Sequence, residues 1–355
     1  MIPHSDSSRS LLRSFWKSSD QCLQSLASVR PIEEPYFRKL NKYHYDLKLV
    51  NAYLDHDNVT EAEGCDAVLV RANCACDEQN LKKFKSYGIN WVFTRTVGFN
   101  HYDLKAAKEL DIKIARVPNY SPYAVANLAF TLGAALTRHV VAAVDAVHRG
   151  DFTVSPYYLS TEFNRLTVGI YGAGKIGAIE GKMWKLIGAK VLAYDPYPSD
   201  FARQYVKFVS EDDLLQSSDI VSVHVPYFPG KNDNLINSDF LKKMKETAFL
   251  INTARGQLAD TNAVAKAVED NEIAGYGADV VIDETRINGH KFNSLAEVPN
   301  SSVQSLMKLY PKVLITPHMG SFTEPALEDM ISISYDNFHE MQETGDVKNK
   351  VEYKG

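Results

Sequence analysis

The chain has 355 residues, 45% of them hydrophobic and 23% charged, ordinary values for a globular protein with a sizeable core and room for two domains. Lys and Arg number 39 against 44 Asp and Glu, a formal net charge of −5, and no basic cluster marks a nucleic-acid or anionic-membrane partner. The four cysteines, Cys22, Cys65, Cys74 and Cys76, include no Cys-x-x-Cys pair, which argues against a disulfide scaffold or a zinc-ribbon site and fits a cytoplasmic setting with reduced thiols.

Residues 1–28 are rich in Ser and carry Arg9, Arg13 and Lys17 without a long apolar core. That excludes a secretory signal, and Asp6 and Asp20 argue against an organellar transit peptide, so a disordered extension is expected. Within it only Cys22–Val29 reads as a weak strand. Short apolar runs follow at Asp66–Val70, Trp91–Phe93 and Ile112–Ile114, separated by helix-period stretches at Asp77–Tyr87 and Leu104–Leu110. Two prolines in Val117–Pro122 close this series. The next stretch predicts one long, mostly apolar helix from about Tyr123 to Arg149, buried or docked on another subunit. Asn127, Arg138 and His139 interrupt its most apolar part, leaving it short of the ~20 residues a bilayer requires, so no membrane partner is expected.

A second series has strand runs at Leu166–Ile170, Lys190–Tyr194, Ile220–Val223, Ala248–Ile251 and Val313–Ile315, with a helical stretch at Thr261–Asp270. Thr316-Pro317-His318 ends it, and Thr323–Glu343 reads as one amphipathic helix. Strands alternating with helices predict an α/β fold with parallel sheets covered on both faces.

The strongest local motif is Gly172-Ala-Gly174-Lys-Ile-Gly177, after an apolar strand and at the start of a helix running to about Ile187. Gly172 suits the tight turn, Gly174 a close approach to a pyrophosphate, and Gly177 close packing of helix on strand, with the phosphates at the helix N-terminus. The following strand ends at Asp195, placed to bind the adenosine ribose hydroxyls and to repel a 2′-phosphate. NAD is therefore expected as cofactor.

Three further segments place polar groups just past strands: Asn252–Gly256 with Arg255, Gly277–Glu284 with Asp279 and Glu284, and Ile315–Gly320 with His318. Arg can grip a carboxylate with two hydrogen bonds. His is the natural proton donor near neutral pH, and a partner carboxylate orients it and raises its pKa. With NAD, these are the parts needed to reduce a 2-oxo acid.

These segments, together with Arg95–Asp103, Val117–Pro122 and Asp219–Pro226, resemble the D-isomer-specific 2-hydroxyacid dehydrogenase family over about residues 45–345. Within the family the chain looks most like the branch of D-lactate and (R)-2-hydroxyglutarate dehydrogenases, and Val70–Cys74, Gly275–Asp279 and His318–Thr323 look particularly like the (R)-2-hydroxyglutarate enzymes. The resemblance implies two Rossmann-like or flavodoxin-like domains with an active-site cleft between them. The NAD-binding domain would span 121–316 and the substrate domain 29–120 plus 317–345. It implies a homodimer as well.

It also implies roles. Arg255, Glu284 and His318 would be catalytic: Arg255 holds the substrate carboxylate, His318 exchanges the proton, and Glu284 supports the imidazole. Gly172, Gly174, Lys175, Ile176, Gly177, Asp195, Val225, Pro226, Asn232, Thr253, Ala254 and Asp279 would meet the cofactor. Val97, Gly98 and Tyr120 would meet the substrate. The chain departs from the family at Asn127, where Glu is frequent, at Thr285, where Pro is frequent, and by a one-residue shift between Tyr227 and Asn234.

Arg71 follows the strand Asp66–Val70, and Ser321 is small and polar where D-lactate enzymes tend to carry an aromatic. Both favour a second carboxylate on the substrate, hence 2-oxoglutarate and (R)-2-hydroxyglutarate. D-lactate, phenyllactate and 2-hydroxyisocaproate are the alternatives. An NAD-binding corepressor is the alternative of another class, although no basic or long C-terminal tail supports it, and Glu284 in place of Gln disfavours formate dehydrogenase. His224 is read as a packed residue beneath the cofactor.

Overall fold

A computed structural model describes residues 23–27, 29–99 and 101–352. The chain divides into two compact units, one running through Ser121 and resuming at Glu324, the other Pro122–Thr323.

The first unit is built on five parallel strands, β1 Leu23–Ala27, β2 Asp46–Val50, β3 Ala67–Val70, β4 Trp91–Thr94 and β5 Lys113–Arg116, in the order β2-β1-β3-β4-β5. Successive side chains of a strand face opposite ways, and both faces here are apolar. Val68, Val70, Val92 and Ile114 pack with Leu81 and Phe84 on one side. Leu69, Trp91, Phe93 and Ala115 pack on the other with Phe37 and with Tyr335 and Phe338 of the helix Glu324–Thr344.

β1 corrects the expectation of an extension reaching residue 28. Leu23–Ala27 pairs in parallel with β2 on one side and β3 on the other. Backbone hydrogen bonds to two neighbours make this weakly apolar run a strand, a tertiary effect that overrides propensity. Residues 1–22 lie outside the described residues.

The second unit has seven parallel strands: β6 Thr167–Tyr171, β7 Lys190–Tyr194, β8 Lys207–Phe208, β9 Ile220–Val223, β10 Phe249–Asn252, β11 Gly275–Ala278 and β12 Val313–Ile315. Their order is β12-β11-β10-β9-β6-β7-β8. The strand order reverses between β6 and β9, and open α/β sheets bind ligands beyond the carboxyl ends of the strands at such a switch point. Val168, Ile170, Val191 and Ala193 pack on one face with the fully buried Trp184, and Val221, Val223, Leu250 and Ala278 on the other.

The long apolar helix is in fact two, Pro122–Thr137 and Val140–His148, bent by 65°. The chain breaks at His139, whose backbone is left-handed (φ 48°) and whose ring packs against Tyr157 with centroids 4.5 Å apart. Among the described residues, no single helix is long and apolar enough to cross a membrane. Residues 317–323 belong with the second unit, because buried Asp279 takes the N–H groups of Met319 and Gly320 at 2.8 and 2.7 Å.

Candidate active site

At the end of β6 the chain turns through Gly172 at φ +97°. A Cβ on Gly172 would lie 2.8–2.9 Å from Val225, and one on Gly177 would lie 2.2 Å from the carbonyl oxygen of Gly172. Both positions therefore require glycine on steric grounds. A Cβ on Gly174, by contrast, would face open space. Gly174 caps the helix Lys175–Leu186, whose first N–H groups are therefore open to an anion above the turn.

Asp195 follows β7, which pairs with β6, so it stands beside the glycine turn at the same sheet edge. Its Oδ1 accepts the N–H of Tyr197 at 2.8 Å, which fixes the carboxylate at the strand end. Val225 and Pro226 follow β9. Asn232 closes that loop, donating to the carbonyl of Pro226 at 2.8 Å and accepting from the N–H of Phe228 at 2.7 Å. Thr253 and Ala254 follow β10, and the Thr253 hydroxyl is buried with no hydrogen-bond partner among the described residues. An orphaned buried hydroxyl after β10 and an open helix N-terminus after β6, two strands away at the carboxyl ends of one sheet, fit a polar dinucleotide lying across those ends.

Arg255 lies in the turn after β10. Asn252 organises that turn, its amide donating to the carbonyl of Arg255 at 3.0 Å and its Oδ1 accepting from the N–H of Ala254 at 3.0 Å. Gly256 allows the segment after β11 to close in, since a Cβ there would lie 2.1 Å from the carbonyl oxygen of Val281. Glu284 opens the short helix Glu284–Ile287. Its Oε1 takes the N–H of Val281 at 3.1 Å, and its Oε2 lies 2.8 Å from Nδ1 of His318.

His318 is itself left-handed (φ 50°), in a turn whose N–H returns to the carbonyl of Thr316 at 2.9 Å. Asp279 holds that turn from beneath. Its Oδ1 accepts from the Thr316 hydroxyl at 2.5 Å and from Met319, and its Oδ2 from Gly320. Burial pushes the Asp279 carboxyl up, against these hydrogen bonds. Burial also opposes charge on His318, but the hydrogen bond and charge of Glu284, helped by Asp279, outweigh it. The imidazole therefore titrates above its ordinary value, with Arg255 acting in the opposite sense. Ser321 lies half-buried in the turn that follows.

The remaining expected residues are in the first unit. Val97 and Gly98 follow β4, where the Val97 carbonyl accepts from Arg116 at 2.9 Å and the Gly98 carbonyl from the Thr96 hydroxyl at 2.8 Å. Tyr120 follows β5. Arg71 follows β3, with its guanidinium 5.0 Å from the Tyr53 ring centre and 3.3 Å from the Tyr53 hydroxyl. Buried Glu33 and Arg95 are paired nearby at 2.7 Å.

Sequence reasoning gave no role to Glu180. Its buried carboxylate accepts from Trp184 at 3.0 Å, from Ser222 at 2.7 Å and from His224 at 2.5 Å, under the glycine turn. An acid four residues before a tryptophan on a buried helix face was the available signal.

A parallel sheet with a glycine turn at its switch point, an acid after the next strand and a carboxylate-supported imidazole near an arginine define a nicotinamide-dependent oxidoreductase. The comparisons with known proteins narrow this. Residues 130–320 match the profile of the D-isomer specific 2-hydroxyacid dehydrogenase NAD binding domain. The chain is 32% identical to an aromatic 2-oxoacid reductase of Clostridium sporogenes, covering 91% of this chain and 97% of that one. It is 32% identical to a D-lactate dehydrogenase of Lactiplantibacillus plantarum, over 92% and 98%. A crystal structure of a D-isomer specific 2-hydroxyacid dehydrogenase from Lactobacillus delbrueckii, in complex with NAD, superposes with a TM-score of 0.78 at 33% identity, covering 93% of this chain and all of that one. The chain belongs to the D-isomer-specific 2-hydroxyacid dehydrogenase family and is an NAD-dependent enzyme.

Proposed function

We propose that the enzyme interconverts 2-oxoglutarate and (R)-2-hydroxyglutarate, with Arg255, Glu284 and His318 as its catalytic residues. The observation that carries the chemistry is the 2.8 Å contact from Glu284 to His318 Nδ1, which leaves Nε2 for the substrate. Bound NADH supplies the hydride that C2 of the 2-oxo acid receives. Arg255 grips the C1 carboxylate with two parallel hydrogen bonds and draws the keto oxygen toward His318. His318 Nε2–H then gives its proton to that oxygen, and the imidazolium is made good by a proton from solvent. In oxidation His318 takes the proton back. Asp279 and Glu284 keep the ring in register throughout.

On the cofactor side, the helix N-terminus at Lys175 and Ile176, with the turn Gly172–Gly177, holds the pyrophosphate. Asp195 holds the adenosine ribose. Val225, Pro226, Thr253 and Ala254 line the remainder, with Asn232 shaping the loop and Asp279 the far end. On the substrate side we assign Val97, Gly98 and Tyr120 to the carboxylate end, and Arg71 with Ser321 to the distal end. Arg71 and the Thr96–Gly98 loop leave neighbouring parallel strands at the same sheet edge, about 5 Å apart. The Arg71 guanidinium, packed on the Tyr53 ring, is the cation we assign to a second carboxylate on the substrate. The test is kcat/KM on 2-oxoglutarate, pyruvate, phenylpyruvate and 2-oxoisocaproate. Preference for a monocarboxylate would assign the enzyme to the lactate, phenyllactate or hydroxyisocaproate group instead.

We also propose a homodimer in a cytoplasmic setting. Val144, Phe152, Val154 and Leu159 are 63–91% exposed on and after the helix Val140–His148, an apolar patch that a second copy would cover. Cys65, Cys74 and Cys76 are free thiols, as expected where reductants prevail. Sedimentation of a monomer at micromolar concentration would contradict the dimer.

A further inference from the structure

Between Asp283 and Asn300 the chain leaves the sheet on a long excursion, and Glu284 sits at its root. Residues 289–297 of this excursion are mostly exposed. What keeps the root still is a contact between its two ends. Asn300 caps the helix Ser301–Lys308, its Oδ1 accepting from the N–H groups of Ser302 and Val303 at 3.0 and 3.2 Å and from the Ser302 hydroxyl at 2.6 Å. The cap uses the oxygen, which turns the amide nitrogen the other way. That nitrogen donates to Oδ2 of Asp283 at 2.6 Å.

Asp283 is in the left-handed region, φ 58° and ψ 32°. Few residues adopt that conformation without cost, though Asp and Asn tolerate it better than most. The turn at Asp283 aims the next residue, Glu284, back toward Val281 and His318. Val281, Val298 and Val303 form a small apolar cluster under the same two chain ends. We propose that Asn300 is a positioning residue for the acid–base pair: through Asp283 it fixes the backbone turn from which Glu284 reaches His318.

This rests on the reading of Glu284 and His318 as the acid–base pair, and it adds a residue that touches neither substrate nor cofactor. The charged groups acting on His318 are Glu284, Asp279 and Arg255. Asp283 faces the Asn300 amide, with Glu284 next in the chain. If the turn relaxes, Glu284 loses register, and the imidazolium loses its main support while Asp279 and Arg255 stay in place.

The test uses Asn300→Asp. Aspartate is as good a helix cap as asparagine, so the helix keeps its start, but the donor toward Asp283 becomes a second carboxylate. We expect kcat/KM for 2-oxo acid reduction to fall roughly tenfold or more. The alkaline limb of its pH profile should move to lower pH, with the Kd for NADH unchanged. Adding Asp283→Asn restores a donor–acceptor pair in the opposite sense, keeps a residue suited to the left-handed turn, and should return both rate and profile. Asn300→Ser, which caps but is too short to reach Asp283, stands in if Asn300→Asp does not fold. A wild-type rate and profile in the single variant would overturn the proposal, as would a loss that Asp283→Asn does not rescue. His318→Ala is measured alongside: if it remains active, the acid–base reading fails and takes this inference with it. If it is inactive while Asn300→Asp is unaffected, only the positioning role fails.

Discussion

Glu284 bridges two parts of its own fold, with Oε1 on the N–H of Val281 at 3.1 Å and Oε2 on Nδ1 of His318 at 2.8 Å. The first contact fixes the carboxylate and the second transmits its charge to the imidazole. Glu284→Gln keeps the shape but loses the charge, and its single acceptor oxygen can serve only one of these two donors. With the largest favourable influence on the imidazolium removed, the His318 pKa falls. Reduction requires the protonated ring, so its alkaline limb should move to lower pH. Oxidation, which requires the neutral ring, should extend its acidic limb to lower pH as well. A pH–kcat/KM profile in both directions checks this, and an unmoved limb contradicts the partnership.

Asp195 sits at the strand end with one oxygen engaged by Tyr197. Asp195→Ser keeps an acceptor for that N–H, so the turn should survive. The ratio of kcat/KM with NADH to that with NADPH should fall by roughly 10- to 100-fold, since a charge that repels a 2′-phosphate has gone. Unchanged discrimination would mean that another group sets the preference.

Two glycines of one turn should fail in different ways. Gly177→Ala places a methyl 2.2 Å from a backbone oxygen, so it should lower Tm and weaken the whole unit. Gly174→Ala meets nothing within 4 Å, so it should leave Tm close to wild type and raise the NADH Kd. Thermal melts beside NADH titrations separate the two, and equal Tm losses would refute the distinction.

Arg71→Leu should cost 2-oxoglutarate roughly 2–4 kcal/mol of transition-state binding, about 30- to 1000-fold in kcat/KM. Pyruvate, with no distal charge, should change far less. An unchanged order of preference across the substrate panel would remove Arg71 from the site.

Much of this architecture was legible in the residues. Lys190–Tyr194, Ile220–Val223 and Val313–Ile315 form strands with the ends read from sequence, because strands buried on both faces are short uniform apolar runs with polar punctuation. Arg255, Glu284 and His318 stood out because each follows such a run. The bend at His139 was not legible: no Gly or Pro marks it, and Arg138-His139 breaks the apolar pattern without signalling a helix end. β1 was legible only as the weak run Cys22–Val29, because pairing with β2 and β3 on both sides is not written in a local stretch of sequence. The bracing by Asp279, Asn252 and Asn300 depends on which N–H groups the turns bring within reach, and spacing along the chain does not encode that.

The most direct test is kcat for NADH-dependent reduction of the best 2-oxo acid by His318→Ala, with NADH affinity measured in parallel. We expect kcat to fall roughly 10³- to 10⁴-fold with the NADH Kd nearly unchanged. Turnover within tenfold of wild type would show that some other group gives the proton.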